Sequence, residues 1–276
     1  MSSRLFTGAL WGATAIVLSF LLLPIAAVFL RVPLGDLVDQ LSSDVVREAL
    51  VVTLKTNLVA LALILLLGTP TAYLIGSRSF RGRAFALTLV ELPLVLPPAV
   101  AGIGLLAAFG RAGLLGDEFE ALGITISFTQ TAVVLAVTFV AGPFYVRPAI
   151  SAFEAVDPTL LAASRTLGAG PARTFFRVAL PLAGGGLGAG AALAFARGLG
   201  EFGATIMFAG SLQGVTQTLS LAIYQEFDLN FDTALAISAL LILVSGVLLL
   251  SVKVVAGWRS TSASLIPFGR SASSSS

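Results

Sequence analysis

Residues 157–181 read DPTLLAASRTLGAGPARTFFRVALP and form a polar segment, punctuated by Gly and Pro, in a chain that is otherwise strongly apolar. Asp157 and Pro158 predict a helix start, because Asp caps the first free amides and Pro fits the first helical position. Gly168 predicts the end of that helix, since Gly readily adopts the left-handed conformation past a helix C-terminus. Pro171 marks the start of a second short helix. The segment is therefore predicted to be a helical hairpin.

The composition around this hairpin is that of an integral membrane protein. Of the 276 residues, 57% are hydrophobic and 11% are charged, against about 25% charged residues in soluble domains. A helix of roughly 20 apolar residues spans a bilayer. Six such stretches occur, at about 9–30, 50–75, 86–109, 130–151, 183–206 and 233–256. The predicted fold class is all-α, a polytopic membrane bundle of about six transmembrane helices.

The first apolar stretch could be mistaken for a signal peptide. It runs from Leu10 to Leu30, which is longer than the apolar region of a signal peptide, and no small-residue cleavage site follows it. The sequence therefore predicts a retained transmembrane helix.

Lys and Arg are distributed unevenly between alternate loops. Eleven lie at the N-terminus, in or beside the loops 76–85 and 152–182, or in the C-terminal tail, whereas the opposite loops hold three and most of the acidic residues. Basic loops stay on the cytoplasmic side of a membrane. Both termini and the hairpin are therefore predicted to be cytoplasmic. The net charge of +2 follows from this topology, so no nucleic-acid partner is predicted.

Several kinds of chemistry are excluded by the absence of Cys and His from the chain. Zinc sites built on Cys and His, haem with a His ligand, iron–sulfur clusters and Ser–His triads all need those residues. The chain also lacks a GxxxxGK[ST] phosphate loop. We therefore predict no catalytic residue, no metal site and no cofactor in this chain.

Two places inside the apolar stretches are candidates for a translocation pathway. Pro97 and Pro98 must break or kink the third stretch, and broken backbone at membrane depth faces protein or a water-filled cavity. Arg197 and Glu201 are charges in the Gly-rich fifth stretch, where charged side chains face the bundle interior and pair. Their spacing of four places them on one helical face. A structural kink and a buried structural ion pair are the alternatives.

The hairpin has apolar faces with basic flanks, which suits docking of a helix into a groove on a soluble partner. A helix lying on anionic lipid headgroups is the alternative. A resemblance to a known family favours the first of these. The hairpin resembles the cytoplasmic EAA loop of binding-protein-dependent ABC importer permeases in its spacing, which is Gly168, nine residues, Val178, one residue and then Leu180–Pro181. That family has Glu-Ala-Ala, three residues and then the Gly. Here the aligned triplet is Ala162-Ala163-Ser164, so Ala replaces the family's glutamate.

The resemblance extends from about residue 50 to 258, and three segments within it point to one subfamily. They are LPLVLPPAVAGIGLLAAFGRAGLLG (92–116), ARGLGEFGATIMFAG (196–210) and TQTLSLAIY (216–224). These are similar to the molybdate or tungstate permeases of type I ABC importers. Sulfate and thiosulfate permeases have similar segments and are the alternative, although the GEFGAT and TQTL runs are more molybdate-like. A stand-alone secondary transporter or channel is the alternative from another class.

The resemblance also implies an assembly and a division of labour. It implies a homodimer in the cell membrane, surrounded by lipids, with an ATP-binding subunit that holds ATP and Mg beneath each copy and an external substrate-binding protein. Together with the patterns outside it, the resemblance predicts three regions: an N-terminal helix and external amphipathic connector (1–49), a permease domain (50–257) and a cytoplasmic tail (258–276), which its low-complexity polar sequence predicts to be disordered. The residues that it assigns to coupling with the ATPase are Asp157, Pro158, Leu161, Ala162, Ala163, Ser164, Gly168, Pro171, Leu180 and Pro181.

Overall fold

The computed structural model describes residues 3–31 and 34–263, and residues 264–276 of the predicted tail (258–276) lie outside them. Regular structure in the described residues is entirely helical. The helices are α1 (Ser3–Arg31), α2 (Leu34–Leu41), α3 (Asp44–Ser77), α4 (Arg83–Val95), α5 (Pro98–Phe109), α6 (Gly116–Ala121), α7 (Gln130–Glu154), α8 (Pro158–Thr166), α9 (Pro171–Thr174), a π-helical turn (Phe175–Ala179), α10 (Leu180–Leu199), α11 (Gly203–Ala209), α12 (Leu219–Leu229) and α13 (Phe231–Ala263).

Five of the described helical segments are long and apolar enough to cross a membrane, and α4 with α5 forms a sixth, bent by 114°. The predicted membrane helix bundle is therefore confirmed. The helices α3, α7 and α10 pack on one another and enclose most of the buried apolar side chains. We term the end with residues 78–82 and 155–170 the basic end, and the end with 110–129 and 210–218 the acidic end.

The bend between α4 and α5 comes from two successive Pro residues. Leu96 has ψ 132° and Pro97 has ψ 132°, because a residue that precedes Pro is held out of the α conformation. Pro98 then occupies the first position of α5, where its missing N–H costs nothing. The break predicted at Pro97 and Pro98 is confirmed, and it lies between two helices of 13 and 12 residues.

The central helix pair, α3 and α7, is parallel. A Cβ at Gly68 would lie 3.0 Å from the Tyr145 ring, and one at Gly76 would lie 2.8 Å from the Ile150 carbonyl oxygen. Both helices therefore run from the acidic end to the basic end. Parallel neighbours need a connection that returns across the membrane, and the bent α4–α5 segment supplies it.

The glycines of α10 let it lie against the other face of α7 in the opposite direction. A Cβ at Gly186 would meet Ala152 at 2.5 Å, and one at Gly198 would meet Val137 at 2.9 Å. Small residues allow such close helix contact where lipid offers no hydrophobic driving force for association. Gly186 and Gly198 therefore lie at close helix contacts, whereas Gly188 and Gly200 face open space.

Two predictions about the fifth stretch and the hairpin are wrong in detail. The predicted helix 183–206 ends at Leu199, and the chain leaves helical geometry around Gly200 and Phe202 before α11 begins. The second helix of the hairpin is also not a separate short helix. It continues into the membrane-spanning helix, because Pro171–Leu199 is continuously helical. The π-helical turn lets Pro181 follow without a break: a Pro ring clashes with the carbonyl four residues earlier, and the wider turn directly before it gives that carbonyl room.

Helix α5 packs on α11 through backbone contact at Gly102. A Cβ there would lie 2.6 Å from the Ala204 carbonyl oxygen and 2.8 Å from Met207 Cβ. We expect Gly102→Ala to lower the free energy of unfolding by about 1–3 kcal/mol, the usual cost of overpacking. Gly104 on the same helix has open space around it, so Gly104→Ala is the matched control and leaves stability unchanged or raises it. Thermal unfolding in detergent measures both, and equal melting temperatures would contradict this packing.

Candidate functional site

The hairpin begins at a capped helix, as predicted. The Asp157 carboxylate accepts a hydrogen bond from the Thr159 amide at 2.8 Å, and Pro158 occupies the first helical position. This hydrogen bond favours the charged form, so it lowers the pKa of Asp157 below its ordinary value. The cap is therefore fully present at neutral pH and is lost only when acid protonates the carboxylate.

Gly168 terminates helix α8, as predicted, and lies two residues past the last helical residue, Thr166. Gly168 has φ +80°, the Gly168 amide donates to the Arg165 carbonyl at 2.9 Å, and the Ala169 amide donates to the Ser164 carbonyl at 3.0 Å. This pair of bonds is a Schellman motif, which satisfies carbonyls that the end of a helix leaves free. The turn that follows leads into α9 at Pro171, where the second helix was predicted to start.

Few contacts fix the hairpin to the bundle, and they lie on one side. Within the hairpin, the hydroxyls of Ser164 and Thr174 are 3.0 Å apart and join α8 to the second helix, and Thr174 is fully buried. Three aromatic rings form the contact with the bundle, with ring centroids 4.7 Å apart for Tyr73 and Phe175 and 5.2 Å for Tyr73 and Phe153. The rings belong to α3, α7 and the π-helical turn, so they tie the hairpin to the two central helices.

The opposite side of the hairpin is open. Ala162 and Ala163 are exposed, Leu167 is 88% exposed, and Arg165 is exposed beside them. Leu161 is half-buried and packs on the core instead. Of the remaining predicted coupling residues, Pro171 and Pro181 are exposed and Leu180 is half-buried. An unpartnered face with apolar and basic groups therefore projects from the basic end.

Arg197 and Glu201 form the ion pair that the sequence predicts. Arg197 Nη2 lies 2.8 Å from Glu201 Oε2, and the side chains are 26% and 1% exposed. The Arg197 group is not aligned for a hydrogen bond to Oε2, so this oxygen has an ionic partner but accepts no hydrogen bond. The other oxygen, Oε1, accepts the Ala204 amide at 2.8 Å. The carboxylate thus holds the last turn of α10 and the first turn of α11 together.

The prediction that Arg197 and Glu201 share a face of one helix is wrong, because α10 ends at Leu199 and Glu201 lies in the break. The pair forms across that break instead. Pro98 lies next to it: a Cβ at Gly203 would meet Pro98 Cβ at 2.7 Å. The structure therefore brings the break at Pro98 together with the Arg197–Glu201 pair. Pro97 is exposed at the bend.

Polar contacts made by α3 near this break were not predicted from the sequence. Asn57, buried in α3, donates to the Phe195 carbonyl at 3.1 Å. Thr53 accepts the Leu219 amide at 2.8 Å, which fixes the start of α12. The signal was the run TLKTN at 53–57, where polar residues interrupt the second apolar stretch.

A second missed feature is the polar interior beside α11 and in the loop that follows it. Gln217 is 1% exposed and donates to Gln225 at 2.8 Å. Among the described side chains, Gln217 Oε1 and Thr205 Oγ1 are buried without a hydrogen bond. Unsatisfied buried polar atoms are rare in folded proteins and mark places with a functional role or a missing partner. The acidic end of the bundle therefore has a polar interior next to the Arg197–Glu201 pair.

Comparison with known proteins places the chain among transport proteins. The model of the family "Binding-protein-dependent transport system inner membrane component" matches residues 68–258. The chain is 42% identical over 233 residues to the molybdenum transport system permease protein ModB of Mycobacterium tuberculosis, covering 84% of this chain and 88% of that protein. It is 34% identical over 210 residues to the sulfate transport system permease protein CysW of Synechococcus elongatus, covering 76% and 73%.

The solved structures show the same fold at low sequence identity. A bacterial alginate ABC transporter, in complex with an alginate pentasaccharide-bound periplasmic protein, contains a chain that superposes with a TM-score of 0.71 at 17% identity. The superposition covers 90% of this chain and 92% of that chain. The arrangement of helices described above is therefore shared with a chain of that transporter.

The ion pair predicts an asymmetric response to mutation. Arg197→Met leaves a nearly inaccessible carboxylate without its counter-ion, which costs about 3–5 kcal/mol of stability. Glu201→Gln keeps an oxygen for the Ala204 amide and leaves a partly exposed Arg, so we expect a smaller loss. The double variant should recover most of the stability lost in Arg197→Met. Thermal unfolding of all four proteins tests the pair, and losses that simply add in the double variant would contradict the coupling.

Proposed function

Since this chain belongs to the family of binding-protein-dependent transport system inner membrane components, we propose that it forms the translocation pathway of an ATP-driven importer of molybdate or tungstate. The observation that carries the proposal is the hairpin at 157–181. It projects an unpartnered apolar and basic face, and its Gly-to-Leu-Pro spacing suits coupling to a separate ATPase.

The energetics of an oxyanion substrate support the need for ATP. Moving one charge against 100 mV costs about 2.3 kcal/mol, so a dianion faces about 4.6 kcal/mol before any concentration gradient. A passive channel cannot accumulate such an ion. An ATP-binding partner subunit, which holds ATP and Mg, supplies the free energy, and this chain supplies the path.

The coupling surface is the exposed side of α8 with the turn that follows it. Leu167 and Arg165 offer an apolar anchor flanked by a cation, which is the chemistry of a helix seated in a groove of a partner. The remaining proposed coupling residues contribute helix geometry: Asp157 and Pro158 start α8, Gly168 ends it, and Ser164 joins it to the second helix through Thr174. Movement of the partner at this surface reaches the bundle through those contacts.

The translocation pathway lies along the two broken segments. Backbone that leaves helical geometry at membrane depth is tolerated only inside protein or beside a water-filled cavity, and both breaks meet where Pro98 touches Gly203. Arg197 is the accessible member of its ion pair and is the proposed cationic contact for an anion, while Glu201 holds it in place. Pro97 forms the edge of the same break.

The choice of molybdate or tungstate as substrate is supported by the similarity to relatives of known name. The 42% identity to a molybdenum permease over 84% of the chain exceeds the 34% identity to a sulfate permease over 76%. Molybdate, tungstate and sulfate are tetrahedral dianions, so the same helix ends and single Arg suit any of them. A sulfate importer is therefore the second candidate, supported by the sulfate relative.

The proposed assembly is a homodimer with two ATP-binding subunits and one external substrate-binding protein. Both termini and the hairpin face the cytoplasm in this proposal, because the basic residues gather at that end and the acidic residues at the other. The binding protein docks at the acidic end. Specificity among oxyanions resides mainly in that protein.

Uptake by the reconstituted complex tests the proposed function. Vesicles that contain this chain, its ATP-binding subunit and the binding protein should accumulate molybdate only with ATP inside the compartment that holds the ATPase, and vanadate should stop uptake. Vesicles without the ATP-binding subunit are the control. Accumulation by this chain alone, driven by an ion gradient, would refute an ABC importer; a binding protein that takes sulfate and ignores molybdate would change the substrate.

The end of α8 offers a local test of coupling. Gly168→Val should sharply reduce ATP-driven uptake, because a side chain in the left-handed conformation costs about 1–2 kcal/mol and a branched one is worse. Gly168→Asn should retain most uptake, since Asn tolerates that conformation. Gly170 has φ −67° and open space around it, so Gly170→Val is the matched control. Uptake in Gly168→Val equal to that in the control would refute the coupling role of this turn.

A further inference from the structure

An open groove of about 310 Å³ lies between α3 and α7, and none of the residues proposed for the pathway or the hairpin lines it. On both helices, the residues that line the groove change from polar to apolar in the same direction. Along α3 it passes from Lys55 to Leu63, and along α7 it passes from Gln130 to Leu135. Because the two helices are parallel, the polar residues share one end of the groove and the apolar residues share the other.

The polar end coincides with the edge of the hydrocarbon core. Lys55 lies 22 residues before Ser77, the end of α3, which corresponds to about 33 Å of helix. A hydrocarbon core is about 30 Å thick. An α3 helix that reaches the far surface at Ser77 therefore places Lys55 at the headgroup level of the opposite leaflet. The apolar part of the groove then extends about 12 Å from Lys55 to Leu63, into the acyl-chain region.

Lys55 is exposed, and its charge has no counter-ion among the described side chains. Each of the ion pairs among the described side chains joins an Arg to a Glu, and Lys55 is in none of them. Thr131 is exposed beside it, and Gln130 is half-buried. A cation with neighbouring neutral donors, placed above an apolar groove, complements a phosphate group that carries an acyl chain.

We propose that this groove binds an anionic phospholipid, with its headgroup at Lys55, Gln130 and Thr131 and one acyl chain along Val59, Leu63, Val134 and Leu135. A free oxyanion fits less well, because it leaves the apolar half of the groove empty. The assignment of the lipid to the external leaflet rests on the proposed orientation of the chain. The assignment of the lipid class depends only on the residues that line the groove. The bound lipid seals the seam between α3 and α7 on the side away from α10.

Lipid retention measures the site without ATP, substrate or partner subunits. The full-length chain is equilibrated in micelles with equal amounts of phosphatidylglycerol and phosphatidylcholine, and native mass spectrometry counts the lipids that remain bound. We expect phosphatidylglycerol to be enriched about fivefold over phosphatidylcholine, the factor that corresponds to about 1 kcal/mol for one Lys near a membrane surface. Lys55→Gln should remove the enrichment, and Lys55→Arg should keep it.

Two further variants separate this site from general lipid contact. Val59 is 46% exposed, and Val59→Trp should fill the groove and lower retention of both lipids while Lys55 remains. Arg31 is an exposed basic residue at the same end of the bundle and does not line the groove, so Arg31→Gln is the matched control and should retain wild-type enrichment.

Three outcomes would overturn the proposal. They are equal enrichment in wild type and Lys55→Gln, an equal loss in Arg31→Gln, and a groove that retains no lipid because a second copy of the chain covers it, which cysteine cross-linking from Val59 to that copy would show. Failure of the uptake experiment leaves this measurement unaffected. Failure of lipid retention likewise leaves transport intact, so the two proposals are tested separately.

Discussion

The structure depends on how one carboxylate satisfies the backbone where a membrane helix stops. Inside a bilayer, every backbone N–H needs a partner from the protein, because no water is available. Glu201 meets that need by accepting the Ala204 amide, and its charge is balanced by Arg197. The break between α10 and α11 is therefore stable only as a set of three groups. Its neighbour, the bend at Pro98, avoids the same problem because Pro has no N–H to satisfy.

This constraint connects the two ends of the molecule. Residues 171–199 form one helical segment, about 44 Å long at 1.5 Å per residue. The segment begins in the hairpin and ends at Leu199, with Arg197 in its last turn. Packing of glycines against α7 keeps it close to the core along its length. In the proposed coupling, a displacement of the hairpin reaches the ion pair through this helix, and α11 and α5 through the ion pair, because no loop interrupts residues 171–199.

The sequence predicted the features that come from single residues with a strong local effect. The bend at Pro97 and Pro98, the Asp157 cap and the left-handed Gly168 each follow from backbone chemistry, and each lies where it was expected. The end of α10 was not predicted, since apolar composition continues through residues 200–206 and composition does not report helix geometry. The contact of Asn57 with the Phe195 carbonyl joins residues 138 positions apart, and no local pattern shows such a pairing.

Ala162, which stands where the resembled motif has a glutamate, alters the proposed docking surface and leaves the fold intact. Ala162 is exposed in the middle of α8, so no buried group loses a partner there. Asp157 caps the start of that helix, a Schellman motif closes its end, and Ser164 fixes it to Thr174. Glu154, the acid at the end of α7, is already paired with Arg83. The exposed face of α8 is thus apolar and cationic without an acidic residue, and a partner groove that receives it must complement that charge.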